Sequence, residues 1–433
     1  MGKVVISNRI YLKPDSPEHL RELIEKLTYK IEKKGGKPGG KFSKLEIIRA
    51  FKLLPQGAIS IPRGRDDLIP AGSEIVDKRV TNSVPFPDPI FPLRDSQLPV
   101  YEEVNDSCFI NALVGWGKTF TALYLARKLG QKTLVVTHNT MLRDQWVDEV
   151  RKLFNIEPGI IGSGIVDHED HCIVIGNIQT VTNMLPELCK EFGTVILDEA
   201  HHVTAETFST LIDGMYAKYR IALSGTMTRT DGKHVMFRDY FGSHVIKPPQ
   251  SNTLTPTVRV VQTGFRLTSG KGWADKLNEL LYNEDYQELV ASIAKIQMHA
   301  GYKVLITSDR VEFLERVKDY LGEDCVLITG EVKYEQRKAL IEQVESGQKS
   351  AVAATRSIFS EGISINCLSC TILTVPTSNL ANVEQIIGRI QRQSPNKLDP
   401  LVIDLNFSSP SERVQDRSRL GFYVSKGWKV EKV

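Results

Sequence analysis

The amino-acid sequence predicts an α/β protein with two tandem parallel-sheet domains that follow a small mixed α/β domain. Apolar β-branched runs alternate with helical patterns from 108 to 224 and again from 304 to 405, which is typical of parallel sheets covered by helices on both faces. The proline-rich stretch PFPDPIFP at 85–92 separates the first series from a different N-terminal texture and indicates a linker. We therefore place the domains at 1–88, 89–250 and 251–433.

The N-terminal domain is predicted from strands, helices and a basic loop. VVISNRIYL is typical of a strand, and Ser16 can cap a helix that starts at Pro17 and keeps one apolar face as far as Ile31. KKGGKPGGK at 33–41 indicates a flexible basic loop. KLEIIRAFKLL indicates a second short helix, and the strand-like AISI and the turn PRG follow it.

Composition and charge narrow the class of protein. The 433 residues include 41% hydrophobic side chains, and no run approaches the ~20 apolar residues that a membrane span needs. The first residues, MGKVVISNRIYLKP, have no apolar core of a secretory signal, so we expect a cytoplasmic protein. Residues 1–90 hold 17 Lys and Arg against 11 Asp and Glu. This excess suits a polyanionic partner, with a solvated surface as the alternative.

The six cysteines and one histidine-rich stretch are weak metal candidates. Most cysteines stand in apolar runs, where a free thiol packs as a small hydrophobic group. Cys367 and Cys370 form a C-x-x-C, but no second pair or His partner follows at zinc spacing. We interpret DHEDHC at 167–172 as a polar hairpin before a buried strand, with a metal site as the alternative.

A phosphate-binding loop is predicted at ALVGWGKTF, residues 112–120. A strand-like run precedes it and a helical pattern follows it, so backbone N–H groups and the positive helix end meet at Gly-Lys-Thr. We expect Lys118 to reach the outer phosphates and Thr119 to bind Mg²⁺. Because Ala112 replaces the first glycine of the full pattern, a packing turn is the alternative for these residues taken alone.

Paired acids end the apolar strand TVILDEAHH, residues 194–202. A carboxylate at the carboxyl tip of a parallel strand beside the loop can hold Mg²⁺, and its neighbour can orient the attacking water. We assign the metal to Asp198 and the water to Glu199. The two motifs together favour a nucleotide site over a packing turn.

Four motifs, in this order, resemble those of superfamily 2 helicases: the loop at 112–119, Asp-Glu-Ala-His at 198–201, Ser-Gly-Thr at 224–226 and QIIGRIQR at 385–392. The resemblance spans residues 91–405 and implies two RecA-like domains with ATP and Mg²⁺ as cofactors. Alanine at 112 is usual in that family. Trp116 stands where a small residue is usual, and its side chain can point away because the backbone binds the phosphate.

The resemblance also implies a role for each matched residue. The catalytic residues are Lys118, Asp198, Glu199, Arg389 and Arg392, and the metal ligands are Thr119 and Asp198. The nucleotide-binding residues are Arg94, Gln97, Gly115, Trp116, Gly117, Lys118, Thr119 and Gly362. Among them, Arg94 and Gln97 lie in LRDSQ at 93–97, which resembles the family's base-reading segment. The nucleic-acid-binding residues are Thr137, Arg143, Gln179, Thr180, Ser308 and Thr355. The residues that couple hydrolysis to movement are His201, Ser224, Thr226 and Gln385.

Two of these assignments have a structural alternative. The arginines match those that carry positive charge to the γ-phosphate in the transition state, but Arg389 and Arg392 could also be surface charges of a helix. Thr355 could be a hydroxyl that merely ends a strand.

Three details resemble phage branch-migration helicases of the UvsW type and their XPB-like relatives: EGISI with Ser364 in place of the usual aspartate, Gly225, and ISIPRG at the end of the N-terminal domain. This resemblance implies an ATP-dependent DNA helicase or translocase that acts on forked or branched DNA in phage replication and recombination. It implies a monomeric motor in the host-cell cytoplasm, with no membrane partner. The alternatives are a DExH-type RNA helicase and a duplex-binding clamp that uses ATP as a switch.

Overall fold

The computed structural model describes residues 2–33, 44–112, 115–200, 205–225, 236–248, 254–268, 272–356, 358 and 365–433. The chain divides into two compact units, Met1–Pro249 and Gln250–Val433. The first unit contains the predicted N-terminal domain together with the first α/β domain. The second unit contains the second α/β domain.

The N-terminal part of the first unit is built on a five-stranded sheet in the order β5-β6-β2-β1-β7. The strands of the whole N-terminal part are β1 (Lys3–Ile6), β2 (Ile10–Leu12), β3 (Thr28–Lys33), β4 (Lys44–Arg49), β5 (Lys52–Leu53), β6 (Ile59–Ile61) and β7 (Glu74–Asp77). Its helix is α1 (Pro17–Lys26). β1 and β7 are parallel, whereas the other pairs of this sheet are antiparallel. β3 and β4 pair separately as a two-stranded antiparallel ribbon, the β3–β4 ribbon.

The predicted start of α1 is confirmed, but the predicted helices beyond it are wrong. Ser16 caps the helix by accepting a hydrogen bond from His19 N at 3.1 Å, and Pro17 is its first residue. The helix ends at Lys26, and both Ile31 and KLEIIR lie in the β3–β4 ribbon. Tyr29 and Ile48 pack against the core of the first α/β domain, and this tertiary packing overrides the helical pattern of the sequence.

The N-terminal part is joined to the first α/β domain by buried polar contacts. The Arg63 guanidinium donates to Ala217 O at 2.5 Å and to Lys218 O at 3.0 Å. In the opposite direction, Arg220 donates to Asn8 O at 2.8 Å, and it is fully buried. Buried guanidinium groups that bond backbone carbonyls across a junction hold it rigidly, because any separation leaves charges without partners.

The segment after β6 makes the tightest part of this junction. Gly64 N donates to Asp239 O at 2.8 Å. Tyr29 Oη donates to the Asp239 carboxylate at 2.8 Å, and Arg65 lies 3.5 Å from the same carboxylate. Burial raises the pKa of Asp239 to about 6.

The α/β domain of the first unit has an eight-stranded sheet in the order β11-β10-β12-β9-β13-β14-β8-β15. Its strands are β8 (Cys108–Asn111), β9 (Thr133–Thr137), β10 (Gly159–Gly162), β11 (Ile165–Asp167), β12 (Ile173–Asn177), β13 (Thr194–Leu197), β14 (Tyr219–Ser224) and β15 (Val245–Ile246). Its helices are α2 (Leu98–Glu103), α3 (Lys118–Leu129), α4 (Thr140–Phe154), α5 (Ile178–Asn183), α6 (Leu185–Leu188), α7 (Ala205–Gly214) and α8 (Phe237–Phe241). All pairs are parallel except β10 with β11.

The second unit has a seven-stranded parallel sheet in the order β18-β19-β17-β20-β21-β16-β22. Its strands are β16 (Thr257–Gln262), β17 (Val304–Ser308), β18 (Cys325–Ile328), β19 (Ala351–Thr355), β20 (Cys370–Leu373), β21 (Leu401–Asn406) and β22 (Lys429–Lys432). Its helices are α9 (Trp273–Leu281), α10 (Glu284–His299), α11 (Val311–Leu321), α12 (Tyr334–Glu345), α13 (Leu380–Ile390) and α14 (Pro410–Ser425). The predicted α/β class with parallel sheets is confirmed in both units.

The strands form where the sequence has its apolar β-branched runs, because each central strand is buried on both faces by helices. Separate hydrophobic clusters fill the two faces of the eight-stranded sheet, and another cluster fills the second unit. PFPDPIFP has no helix or strand, but it follows the surface of the first α/β domain: Ile90 N donates to Leu153 O at 2.8 Å. In the described ranges, no helix has the length and apolarity that crossing a membrane requires.

Candidate functional site

The predicted phosphate loop lies between β8 and α3, at the carboxyl edge of the eight-stranded sheet. Gly115 and Gly117 have φ of +87° and +101°, a region in which only glycine is unstrained. A Cβ on Gly117 would lie 2.4 Å from Gln97 Nε2. The two glycines therefore permit the tight turn that aims the first N–H groups of α3 at one point, as an anion site requires. Residues 113–114 lie outside the described part.

Lys118 and Thr119 are the first two residues of α3. Lys118 Nζ donates to Ala112 O at 3.1 Å and lies 3.9 Å from Glu199 Oε1. The ammonium group is thus between the loop and the paired acids, where a triphosphate would replace the loop carbonyl as its partner. Thr119 is half-buried at the same helix end.

Trp116 points away from the loop's anion-binding surface, as its sequence context predicts. Its side chain is 9% exposed and packs in the same hydrophobic cluster as Val100, Val104 and Ile110. Only its backbone can contribute to binding phosphate. Its predicted nucleotide contact stays a prediction.

Asp198 and Glu199 follow β13 directly, beside the phosphate loop. Asp198 N donates to Val136 O at 3.0 Å, and Trp146 Nε1 donates to Asp198 Oδ2 at 2.8 Å. Glu199 has φ of +46° and its N–H donates to Asp198 Oδ1 at 2.9 Å. The sequence did not single out Trp146, which lies 52 residues from the acid that it contacts.

Ionising both Asp198 and Glu199 is electrostatically unfavourable. Burial and then the neighbouring charge of Glu199 raise the pKa of Asp198 to about 6, while Trp146 and Lys118 favour the ionised form. A divalent cation would remove that cost. A carboxylate and a hydroxyl are hard oxygen donors of the kind that Mg²⁺ prefers, so Asp198 and Thr119 fit this ion.

A cavity of about 270 Å³ adjoins the loop on the side of the predicted base-reading segment. Its lining residues are Phe91, Pro92, Leu93, Arg94, Gln97, Phe120, Tyr124, Lys152 and Leu153. The structure thus brings Arg94 and Gln97 to a cavity with aromatic walls, which suits a flat heterocycle. Phe120 and Tyr124 were not predicted as site residues, although their spacing of four on α3 is a signal that puts both rings on one helix face.

Gln97 also supports the phosphate loop. Its Nε2 donates to Gly117 O at 3.1 Å, and its Oε1 accepts from Arg94 N at 3.0 Å. The side chain is almost fully buried. Gln97 therefore connects the cavity to the phosphate loop, and its contact with a base stays a prediction.

The predicted coupling residues are described only in part. Ser224 ends β14, is buried, and its carbonyl accepts from Ala112 N at 3.0 Å, which ties this motif to the start of the phosphate loop. Gln385 is buried in α13. His201, Thr226 and Gly362 lie outside the described residues.

The predicted nucleic-acid residues of the first unit lie together at the carboxyl ends of β9 and β12. Thr137 ends β9 and is paired in register with Asn177, which ends β12. Gln179 and Thr180 follow at the start of α5, where Gln179 is exposed and Thr180 is half-exposed. Arg143 is buried here, with Nη1 3.2 Å from Asn177 Oδ1.

Arg143 has several other partners. It contacts Asp144 at 2.6 Å and Ser163 Oγ at 3.0 Å, so it braces α4 against the loop after β10. Its predicted contact with nucleic acid stays a prediction.

The second unit places two predicted nucleic-acid residues side by side. Ser308 ends β17, Thr355 ends β19, and the two are paired in register on adjacent parallel strands. Arg389 is buried in α13, whereas Arg392 lies two residues beyond that helix, half-buried, with Nη1 3.3 Å from Asn366 Oδ1. The surface-charge alternative is therefore wrong for Arg389 because its side chain is not on the surface.

The weak metal candidates have other partners. His168 contacts Glu191 at 2.9 Å and His171 contacts Asp167 at 3.1 Å. Both Cys367 and Cys370 are free thiols, and burial raises their pKa. In the part of the chain that the structure describes, no cluster of three or more potential ligands could hold a metal ion.

Comparisons with family models match both units. A model described as the res subunit of type III restriction enzymes matches residues 78–229, and a model of the helicase conserved C-terminal domain matches residues 284–394.

Relatives match over most of the chain. It is 41% identical to a probable helicase of Escherichia phage T5, over 99% of this chain and 95% of the relative. It is 27% identical to a putative ATP-dependent RNA helicase of Acanthamoeba polyphaga mimivirus, over 73% of this chain and 64% of the relative. It is 24% identical to the ATP-dependent DNA helicase uvsW of Enterobacteria phage T4, over 70% of this chain and 65% of the relative.

A solved structure shares the fold. S. cerevisiae Dbp5 bound to RNA and ADP BeF3 matches with a TM-score of 0.56 at 14% identity, covering 78% of this chain and 89% of that chain. This likeness shows the fold of two RecA-like domains that the motifs predicted.

Proposed function

Because the chain belongs to the superfamily 2 DExH-box helicases, we propose that this ATP-driven helicase uses Mg²⁺ and acts on forked or branched DNA. It has relatives of the UvsW type. We further propose that it migrates DNA branches in replication and recombination and that it works as a monomer.

One observation carries the proposal: the phosphate loop with its paired acids and the predicted nucleic-acid residues share one edge of one sheet. Asp198 follows β13, and Thr137 ends the neighbouring strand β9. Gln179 and Thr180 follow β12, the next strand along. Ligands of open α/β sheets bind at the carboxyl ends of strands, so ATP and a polynucleotide can both contact this edge.

The roles at the ATP site follow from the chemistry of phosphoryl transfer. Lys118 neutralises the outer phosphates, Thr119 and Asp198 hold Mg²⁺, and Glu199 orients the attacking water. We assign Arg389 and Arg392 to the charge that develops in the transition state. When bound, Mg²⁺ would neutralise charge on the phosphates.

DNA is supported as the substrate by the T4 relative, an ATP-dependent DNA helicase, and by the phage origin of the relative at 41% identity. The mimivirus relative, a putative RNA helicase, supports the alternative. Hydroxyl and amide side chains such as Thr137, Gln179 and Thr180 suit contacts to phosphates, which do not depend on sequence.

The N-terminal domain is proposed to grip DNA beside the motor. The outer face of the β3–β4 ribbon carries Lys30, Ile47 and Arg49, all exposed, while Tyr29 and Ile48 face the α/β domain. Lys34, Lys37 and Lys41 of the predicted basic loop lie outside the described part of the chain, as does the side chain of Lys33. A module that merely braces the motor is the alternative.

The ATP site is tested with Lys118→Ala. We expect turnover of ATP to fall at least 100-fold, because a charged contact to the transferring phosphate group is worth about 3 kcal/mol or more. The measurement is steady-state ATPase activity with saturating DNA, and circular dichroism controls for folding. Turnover within about threefold of wild type would contradict the assignment.

The substrate is tested by adding matched DNA and RNA versions of linear, fork, three-way and four-way junctions to the wild-type protein. We expect DNA forks to stimulate ATP turnover and to be converted to unwound or migrated products. Stimulation by RNA alone would support an RNA helicase. Tight ATP-dependent DNA binding with almost no turnover would support a clamp.

A further inference from the structure

We infer that Trp146 is a positioning residue that holds the Asp198 carboxylate for Mg²⁺ and connects it to the nucleic-acid residues at the start of α4. This inference rests on the proposed function of the ATP site and extends it to a residue to which the sequence analysis assigned no role.

The contact itself is short, buried and directional. The indole N–H donates to Asp198 Oδ2 at 2.8 Å, and Trp146 is 1% exposed. The other carboxylate oxygen, Oδ1, accepts from Glu199 N at 2.9 Å. Each oxygen of the Asp198 carboxylate therefore accepts one hydrogen bond, and the two bonds together fix the plane of the carboxylate. Indole has a single donor and no acceptor, so the contact cannot be replaced by rotating the ring.

The same helix begins among the predicted nucleic-acid residues. α4 starts at Thr140, and its cap Asn139 accepts from Leu142 N at 2.8 Å. Arg143 lies three residues before Trp146, and its guanidinium contacts Asn177 Oδ1, beside Thr137 in the sheet. The two side chains are almost one helical turn apart.

α4 can transmit a displacement because it is tightly packed. Val147, Val150, Leu153 and Phe154 are all buried along its inner face. Close-packed interiors transmit strain, so we expect phosphates bound near Thr137 to displace the indole together with the first turn of α4. Asp198 is linked to the same strand independently, because its N–H donates to Val136 O. Through these two links, the carboxylate responds to the occupancy of the nucleic-acid edge.

The test removes the indole N–H of Trp146 and keeps an aromatic ring at that position. Trp146→Phe retains an aromatic group, and 3-(3-benzothienyl)alanine at position 146 retains the full bicyclic shape with sulfur in place of N–H. Val150→Ala, one turn further along α4, is the matched control for lost packing, because Val150 is fully buried and apolar. The probe is Mn²⁺, whose binding to the protein with ADP is measured by electron paramagnetic resonance, with and without forked DNA.

We expect both position-146 variants to bind Mn²⁺ about 10–100-fold more weakly than wild type, as is usual when the partner of a metal ligand is removed. Metal-free ADP binding should change less than threefold. Forked DNA should shift the Mn²⁺ affinity of the wild type and of Val150→Ala, but not that of the position-146 variants.

Two results would overturn the inference. One is Mn²⁺ affinity within twofold of wild type in the benzothienyl variant, which keeps the packing even if Trp146→Phe fails to fold. The other is a DNA-dependent shift that survives in that variant. If RNA rather than DNA shifts the Mn²⁺ affinity of the wild type, the proposal of a DNA substrate is wrong. The Mn²⁺ affinities measured without nucleic acid still decide whether Trp146 positions Asp198.

Discussion

At Gly64 the backbone of the N-terminal domain approaches the first α/β domain so closely that no side chain fits. An added Cβ would lie 2.2 Å from Arg238 O and 2.5 Å from Gly242 N, both of them backbone atoms that cannot move independently. The glycine is required here by close approach.

We therefore expect Gly64→Ala to destabilise the first unit by about 2 kcal/mol or more, since overpacking against backbone forces the junction apart. Urea unfolding followed by circular dichroism measures this. Gly2→Ala is the matched control in the same domain, because the nearest atom to its added Cβ is 3.7 Å away. Equal stability of the two variants would show that the junction is not close-packed in solution.

Asp239 makes the same junction sensitive to pH. Its pKa is raised by burial to about 6 in the folded protein, above the ordinary aspartate value of 3.8. The folded state therefore holds this proton more tightly than the unfolded state. Its contribution to stability is present below about pH 4 and is lost as the pH rises to about 6, with an upper limit of about 3 kcal/mol.

Asp239→Asn removes this titration. We expect the free energy of unfolding of wild type, minus that of Asp239→Asn, to decrease between pH 4 and 6 and to stay constant above about pH 7. Urea titrations at half-unit pH intervals measure the difference. A difference that is constant over the whole range would refute the role of Asp239.

Single residues differ in how far the sequence reveals them. That Lys118, Asp198 and Glu199 lie close together could be predicted, because each follows a strand of one parallel sheet at its carboxyl edge, while their roles stay predictions. The contact of Trp146 with Asp198 could not, because it joins residues 52 positions apart through the packing of α4. The buried position of Trp116 was predictable, since a bulky ring in a loop that binds through its backbone has to turn away.

At the scale of elements, the two predicted transition-state arginines lie in different surroundings, one in α13 and one beyond its end. Arg389 is buried within the helix, and Arg392 lies beyond its end and contacts Asn366. If Arg392 acts mainly in the transition state, Arg392→Ala should lower the rate constant of hydrolysis at least 10-fold while changing the dissociation constant of ATP less than threefold. Single-turnover kinetics and equilibrium binding of a fluorescent ATP analogue separate the two quantities. Weaker ATP binding at an unchanged rate would contradict this role.

The elements themselves were predicted unequally. The central strands were predictable, because a strand buried on both faces must be a continuous apolar run. The β3–β4 ribbon was predicted as helix, because its residues are partly buried on one face only and its lysines and glutamates favour helices locally. β22 was not predicted because Val430 is its one apolar residue, whereas β16 was missed although Val258, Val260 and Val261 give it the composition of a strand.

At the scale of the whole molecule, the N-terminal domain cannot be removed cleanly. Deleting residues 1–88 would leave Arg220 buried without its partner Asn8 and would uncover Asp239. Loss of activity after the deletion would therefore not separate gripping of DNA from bracing of the motor. Substitutions on the exposed face keep the junction and give the sharper test.

The substitutions Lys30→Gln, Arg49→Gln and Lys52→Gln neutralise three exposed charges at and beside the β3–β4 ribbon. If these side chains contact phosphates, the slope of log affinity for forked DNA against log salt should become shallower by up to about 3, and basal ATP turnover should stay the same. Fluorescence anisotropy at several salt concentrations measures the slope. Neutralising Lys3, Lys13 and Lys78, which are exposed elsewhere in the same domain, is the control. An unchanged slope in the ribbon variant would support the brace.

The junction of the first unit also sets an order of assembly during synthesis. Asn8 contacts Asp213, 205 residues later in the chain, and Arg65 contacts Asp239, 174 residues later. Neither contact can form until its later residue has been synthesised. At a translation rate of roughly 5–20 residues per second, about 10–40 s separate the emergence of these partners from the ribosome. During that interval Arg63 and Arg65 are hydrated rather than buried. The N-terminal strands can pair early, but native packing of the first unit is completed only after Ile246, the last residue of β15, has been made.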